Sequence, residues 1–262
     1  MGSLFQLKSE LISVQSDVIF SLFGIGFTNS MISALLVTSL LILLSIWASR
    51  SLQIYSKPGK FQLVIEIIVQ TALNFFTQIT GKEEIARRIF PIVGTLMLYL
   101  LISNTVLLIP GITSITYDGQ SLFRPTTSDF NSTFGLAVAV IVFVHIFSIH
   151  KKGVPAYLNS YFRFGGIIEG FKKGIGAGIL SFIDFFVGLL DVVSELAKSL
   201  SLSLRLFGNI FAGELLASVM MGIFALFLPI PFFVLSLFSG VIQAIVFSAL
   251  TASYFGMALS EE

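Results

Sequence analysis

Four stretches of this chain, residues 18–49, 89–117, 130–150 and 215–260, contain no Asp, Glu, Lys or Arg. Each is long enough for the roughly 20 residues a helix needs to cross a bilayer. Within lipid a helix satisfies its own backbone groups, which an open sheet edge or a loop cannot do. Charged residues make up 11% of the 262-residue chain and hydrophobic residues 55%. A soluble domain carries about 25% charge, so this inventory cannot cover a water-facing surface, nor is it polar enough for a disordered chain. The absence of cysteine removes disulfides, iron–sulfur clusters and thiolate chemistry. His145 and His150, the two histidines, cannot supply the four axial ligands of a two-haem bundle. They read as packing groups, and no metal-ligand spacing stands out. A net charge of +1 leaves no electrostatic footprint for nucleic acid.

The expected spans are 31–48, 89–109 and 132–150, within a single membrane domain covering residues 1–262. The first 17 residues carry Lys8, Glu10 and Asp17 and do not read as a signal peptide. Eleven of the fifteen basic residues fall on one side if these spans alternate: Arg50, Lys57, Lys60, Lys82, Arg87, Arg88, Lys151, Lys152, Arg163, Lys172 and Lys173. The loop 110–129 has Arg124 against Asp118 and Asp129. Basic loops stay cytoplasmic, which predicts an outside N-terminus and a cytoplasmic C-terminus. Residues 59–80 differ, with Gln62, Glu66, Gln70, Asn74 and Gln78 recurring every four residues among apolar side chains. That is an amphipathic helix, expected to lie in the interface. The alternative is a polar stripe buried against other helices.

Residues 174–178 read Gly-Ile-Gly-Ala-Gly and suggest a flexible joint. No proline follows until Pro229, so 179–228 reads as one helix of roughly 75 Å at 1.5 Å per residue. The hydrocarbon core is only about 30 Å thick. The helix must therefore kink, leave the membrane or tilt, and it is too apolar to extend far into water. Pro229 and Pro231 break it, and a second apolar helix is expected over 232–259. The fold class is thus an all-α membrane protein of about five to six helices. It includes the interfacial helix and a C-terminal hairpin of two long, strongly tilted helices.

Helical periodicity puts Asp191, Lys198, Ser201, Arg205 and Asn209 in one polar stripe. Glu195 reaches Asp191 and Lys198 at four- and three-residue spacings. Glu214, nine residues past Arg205, projects to the opposite face. On the last helix Ser236, Gly240 and Gln243 share a face where another helix can approach closely. Intramembrane charges mark ion paths or partner sites. The competing reading of Arg205 is a snorkelling side chain at a span end, which leaves Asn209, Glu214 and Gln243 unexplained. For Asp191, Glu195 and Lys198 it is a solvated ion-pair cluster, and for Gln243 an interhelical hydrogen bond.

The segment Ser-Leu-Ser-Leu-Arg-Leu-Phe-Gly-Asn-Ile-Phe-Ala-Gly-Glu at 201–214 closely resembles the signature of subunit a of rotary F-type ATP synthases of the bacterial type. Pro58-Gly59-Lys60-Phe61-Gln62, Asp129-Phe130-Asn131-Ser132-Thr133, and Gln243-Ala244 with the terminal Glu261-Glu262 are similar to further family segments. The resemblance implies a stator subunit, with no cofactor and no bond chemistry of its own. Two aqueous half-channels would couple transmembrane proton flow to rotation of a ring of c subunits. It implies that Arg205 is the family's essential arginine, facing the carboxylate of each c subunit and blocking a proton short circuit. Asn209, Glu214 and Gln243 match the outer half-channel, and Asp129 an acidic residue near its mouth. Asp191, Glu195 and Lys198 fall to the cytoplasmic half-channel. The implied partners are the c-ring, peripheral-stalk subunit b and membrane lipid, in a bacterial plasma membrane, the alternative being an organellar energy-transducing membrane. Two departures stand out. Ser236 occupies a position that some members fill with His, which suggests a Glu214–water–Ser236 route. The segment 125–129 is one residue longer than the usual Pro-Thr-Ala-Asp. On this resemblance Arg205, Asn209 and Lys198 are expected on the ring side, and Glu214 in a cavity against the last helix. A secondary transporter would show midplane broken helices and internal symmetry, neither of which is evident. A non-transporting assembly subunit would leave the 191–214 stripe without a use.

Overall fold

The computed structural model describes residues 16–22, 24–52, 59–106, 112, 115–117, 120–162, 175–223 and 229–260. Lys8, Glu10, Lys57, Pro58, the end of the 89–109 span, Asp118, Arg163, Lys172, Lys173, Gly174, residues 224–228 and Glu261-Glu262 lie outside the described residues. Seven α-helices are present among them. Five are long and apolar enough to cross a membrane: α1 (Asn29–Ser51), α2 (Lys60–Thr80), α3 (Glu83–Val106), α4 (Phe130–Lys152) and the last helix, α7 (Pro229–Ser260). A short helix, α5 (Val154–Phe162), and the long α6 (Ile175–Ile223) complete the set.

The ends of the helices follow local chemistry. Thr28 caps α1, its hydroxyl accepting from the Met31 amide, so the helix starts two residues before the expected span. Gly81, at φ 73°, closes α2 in the left-handed region. There a side chain would clash with the following carbonyl. The third helix starts at Glu83, six residues ahead of the apolar run. Glu83 and Glu84 sit in its first turn, where carboxylates complement the helix dipole, and Glu83 pairs with Arg87 at 2.7 Å. Gly153, at φ 81°, ends α4. Pro155 then falls in the first turn of α5, where its missing N–H costs nothing. That short helix escapes a reading based on long apolar runs.

Two further boundaries differ from expectation. Residues 175–178 are not a joint: α6 is already helical from Ile175, through Gly176 and Gly178, and continues unbroken for 49 residues. The cost of two helix glycines is about 1 kcal/mol each, small against the apolar helix that follows. Likewise α7 begins at Pro229 rather than Phe232, because prolines are tolerated in a first helical turn.

The polar stripe of α2 is exposed rather than buried against its neighbours. Gln62 donates to Glu66 at 2.8 Å and Gln70 to Asn74 at 2.9 Å, both along the outer face. Leu73 and Phe76, at its C-terminal end, are buried against α3 and α7 in a cluster with Ile89, Val93, Ala252 and Phe255. A second cluster joins Leu96 and Leu100 of α3, Ala137 and Val140 of α4, Leu202 and Leu206 of α6, and Ala244 and Phe247 of α7. The last helix therefore runs through the middle of the bundle.

Two short ribbons accompany the helices. Strand β1 (Val18–Leu22) pairs antiparallel with β2 (Ile25–Thr28) before α1, and β3 (Thr116–Tyr117) with β4 (Gln120–Ser121) before α4. A 3-10 turn, Thr126–Ser128, leads into α4, whose N-cap is Asp129. At the far end, the Lys151 ammonium donates to the Leu259 carbonyl and fastens the last turn of α7 to α4. The helices α3 and α7 meet where Gly240 lies against Asn104. A Cβ there would stand 3.0 Å from the Asn104 Cβ, and Asn104 Nδ2 donates to the Gly240 carbonyl at 3.1 Å.

Candidate functional site

The polar residues of α6 divide into two groups on either side of Arg205. The lower group lines a cavity of about 260 Å³ between α4, α5, α6 and α7. Asp191, Ser194, Glu195 and Lys198 enter it from α6, and His145, Ser148 and Lys152 from α4. Tyr157 and Tyr161 come from α5 and Tyr254 from α7. Lys198 Nζ lies 2.6 Å from Glu195 Oε1 and 5.3 Å from the centre of the Tyr254 ring, so its charge is shared between a carboxylate and an aromatic face. Lys198 thus points inward, against the expectation that it lies on the ring side. The carboxylate three residues earlier and the tyrosine on the central helix draw it into the bundle. His145 Nδ1 and the Tyr157 hydroxyl are 2.8 Å apart. Burial holds the Tyr157 phenol above its usual range, with the Glu195 charge acting in the same direction, so it stays neutral at ordinary pH.

The upper group lies where α6 packs against α7 and the 3-10 turn. Asn209 Nδ2 donates to Gln243 Oε1 at 2.9 Å across the α6–α7 hairpin. Gln243 is 3% exposed, and among the described residues its own Nε2 is buried without a hydrogen-bond partner. In an apolar interior that is costly and suits a site where water could sit. One residue before Glu214, the backbone of Gly213 lies against Ser236: a Cβ at 213 would be 2.5 Å from Ser236 Oγ. Glu214 itself, half-buried, turns toward the 3-10 turn rather than the last helix. Ser128 and Arg124 are its polar neighbours there. Beside it the Gly213–Ser236 contact brings α6 and α7 close together.

Asp129 is 4% exposed and fully engaged. Its Oδ2 accepts from Ser30 Oγ at 2.9 Å and Ser132 Oγ at 3.0 Å, and its Oδ1 from the Asn131 amide at 3.1 Å. It caps α4 and ties it to α1. Thr127 Oγ1 donates to Asn104 Oδ1 at 2.7 Å, linking the same loop to α3.

Arg205 stands between the groups. It is exposed on the outside of the bundle, and among the described residues it has no hydrogen-bond or ion-pair partner. Behind it Leu202 and Leu206 are buried with Ala244 and Phe247. The cavity and the upper polar group are thus separated, inside the chain, by packed apolar side chains. At 1.5 Å per residue Arg205 is roughly 10 Å along the helix from Lys198 and roughly 14 Å from Glu214.

Residue patterning missed several members of these groups. Tyr254 and Tyr157 look like ordinary interfacial aromatics, and His145 like a packing group. Arg124 is one loop charge among two acids. Only tertiary contact makes it a buried cation, 8% exposed. No cluster of three or more metal-ligating side chains occurs among the described residues.

Comparison with known proteins gives a consistent result. The sequence model described as "ATP synthase A chain" matches residues 31–256. A protein of Moorella thermoacetica named "ATP synthase subunit a" is 31% identical over 236 residues, covering 90% of this chain and 93% of that one. One of Helicobacter pylori with the same name is 33% identical over 228 residues, 87% of this chain and 88% of its own. "ATP synthase subunit a 2" of Picosynechococcus is 30% identical over 223 residues, 85% and 82%.

Proposed function

The chain belongs to the ATP synthase A chain family, and from that membership we propose that it is the stator subunit a through which protons cross the membrane to turn a ring of c subunits. The observation that carries the mechanism is the position of Arg205. Supporting this reading, polar groups of α6 lie on either side of it, with Leu202 and Leu206 packed behind it. A proton can pass from one to the other only on a carrier that moves across the outside of the bundle, where Arg205 is exposed.

A carboxylic acid on the ring is such a carrier. Neutral, it passes through lipid; ionised, it cannot, because removing its hydration is too costly. Opposite a guanidinium the ionised form is favoured, since an opposite charge within about 4–6 Å lowers a carboxyl pKa by about 1–3 units. Arginine suits this position because it stays charged in any environment. Each ring carboxyl therefore loses its proton to one half-channel, passes Arg205 as an anion, and takes a proton from the other half-channel. The fixed positive charge also opposes a proton moving directly between the channels. Membrane potential contributes about 2.3 kcal/mol per charge per 100 mV.

In this reading Asn209, Gln243, Ser236 and Glu214 line the outer half-channel, with Asp129 bracing its mouth. Asp191, Glu195 and Lys198 line the cytoplasmic half-channel. The basic ends of α4 and α1 lie on the cytoplasmic side, the N-terminus is outside, and subunit b and lipid cover the remaining apolar faces. The long α6 runs tilted along the ring, so several carboxyls meet its polar stripe in turn. The subunit performs no bond chemistry; ATP is made elsewhere in the complex.

Arg205→Ala should abolish ATP-driven proton pumping by the assembled complex and leave membrane insertion intact, because among the described residues the side chain makes no hydrogen bond or ion pair. Glu214→Gln should slow pumping less, since water bypasses one relay group. Normal coupled pumping by Arg205→Ala refutes the proposal. A larger defect in Glu214→Gln reverses the assigned order of importance.

A further inference from the structure

We infer that His145 is a proton-relay residue of the cavity between α4, α5, α6 and α7, exchanging protons at Nε2 while Tyr157 holds its other ring nitrogen. This rests on the reading above in which that cavity is the cytoplasmic half-channel.

The chain turns back on itself to make the pair. After the corner at Gly153, the Tyr157 amide donates to the Gly153 carbonyl at 3.0 Å in the first turn of α5. That turn carries the phenol back onto His145, twelve residues earlier, with its oxygen 2.8 Å from Nδ1. The rings of Tyr157 and Tyr161 both stand edge-on to the imidazole, with centres 6.0 and 6.4 Å away. At Gly188 of α6 the Tyr161 carbonyl leaves no room for a Cβ, so α5 lies tightly on α6 and holds both tyrosines over the cavity. Ser203 donates to Thr133 at 3.4 Å. Twelve residues after Thr133 comes His145, and twelve before Ser203 comes Asp191. On antiparallel helices the two therefore stand at similar depth, and both line the cavity.

The other lining groups are less suited to the exchange. Glu195 is committed to Lys198 at 2.6 Å, and Tyr254 offers that ammonium its ring face. The ammoniums of Lys198 and Lys152 donate and cannot accept. Lys151, next to the cavity, is turned to the Leu259 carbonyl. An imidazole combines a donating and an accepting nitrogen, which is what a proton shuttle needs. Which nitrogen carries the proton is set by the bond that the other makes. With Nδ1–H donating to the phenol oxygen, the Nε2 lone pair is left to the cavity.

The cavity, about 260 Å³, has room for several waters at about 30 Å³ each. During ATP-driven pumping Nε2 takes a proton from water on the cytoplasmic side, and the ring becomes an imidazolium. It gives the Nε2 proton up to cavity water, which hands one on to the Asp191 carboxylate. The Nδ1 proton and the phenol proton stay in place, so one proton enters and one leaves. Tyr157 is a positioning residue, acting through the ring it holds.

The test is chemical rescue in the intact complex in lipid vesicles, read as the initial rate at which ATP builds a membrane potential. His145→Ala should be about fivefold slower or more. That is a small part of the roughly 10²–10⁴-fold a positioned acid–base group supplies, because cavity water bypasses the ring in part. Added imidazole should restore much of the rate. Pyrazole, a ring of the same size but too weakly basic to carry a proton, should not. An undiminished rate in His145→Ala, or a loss that imidazole mends no better than pyrazole, overturns the inference. Tyr157→Phe should slow pumping less, and in a chain already carrying His145→Ala it should slow it no further. A full additive loss there overturns the proposed arrangement. If His145→Ala fails to assemble, His145→Gln keeps a hydrogen-bonding side chain without a basic nitrogen. It must then pump slowly, and a parental rate overturns the inference. Parental pumping with Asp191→Asn and Glu195→Gln together instead takes the cavity off the path, and this inference with it. A loss there beside parental pumping in His145→Ala removes His145 alone.

Discussion

Replacing Gly213 by Ala is a sharp probe of the α6–α7 hairpin. The new Cβ would stand 2.5 Å from Ser236 Oγ and 3.2 Å from Ser236 Cβ, where ordinary contact begins at 3.4 Å. Relief at the oxygen therefore needs roughly 0.9 Å, the difference between 3.4 and 2.5 Å. Ser236 is 6% exposed and has little room to move away, and turning the hydroxyl aside still leaves the Cβ contact tight. The helices must separate where Glu214 meets Ser128. Overpacking of this size costs about 1–3 kcal/mol, and 1.4 kcal/mol is a factor of about ten in an equilibrium. Gly213→Ala should thus lower the thermal survival of the complex in detergent, and its pumping should fall at least as far. Combining it with Ser236→Ala removes the oxygen and leaves only the 3.2 Å contact, so most of the stability loss should return. Parent-like stability in Gly213→Ala, or no recovery in the double variant, would refute the packing argument.

The Asn209–Gln243 bond should be measurable by a double-mutant cycle with Asn209→Ala and Gln243→Ala, read as thermal stability. Interhelical bonds in lipid average about 0.6 kcal/mol with a maximum near 1.7, and a coupling of zero would place water between the two groups. Tyr157→Phe should cost about 0.5–1.5 kcal/mol by leaving His145 Nδ1 unpaired. Because the folded-state phenol titrates above its ordinary range, its contribution is complete below pH about 10 and lost as the pH rises through the folded value. The stability gap between parent and variant should narrow only in strong alkali. Asp129→Ala should destabilise by about 0.5–2 kcal/mol through loss of the α4 cap, and Asp129→Asn should restore most of it.

The parts of the fold legible in the sequence are those set by solvent. Charge-free runs located α1, α3, α4 and α7, since a lipid-facing helix can carry few charges anywhere along its length. The proline pair at 229 and 231 marked the hairpin break for a local, steric reason. Elements set by a single turn were not legible: α5 depends on Gly153 and Pro155 at one corner, and the two ribbons on pairing of short segments. For the candidate site the contrast is similar. Helical periodicity put Asp191, Glu195, Lys198, Arg205 and Asn209 in order along α6, because all belong to one helix. It could not show that Lys198 turns in toward Tyr254, or that Glu214 meets Ser128 from a loop more than eighty residues earlier. Neither the burial of Arg124 nor the pairing of His145 with Tyr157 leaves a local pattern to read.

The two fastenings of α7 have a mechanical meaning. Asn104 grips it at Gly240, and Lys151 holds its final turn at Leu259. A rod clamped at two points to α3 and α4 resists both sliding and rotation about its own axis. A sideways push delivered to the exposed face of α6 is therefore passed across the hairpin to a braced beam, and from there to the rest of the bundle. In the rotary function proposed above, this helix would be the bearing block, and its rigidity would limit how much of each step is lost as elastic recoil.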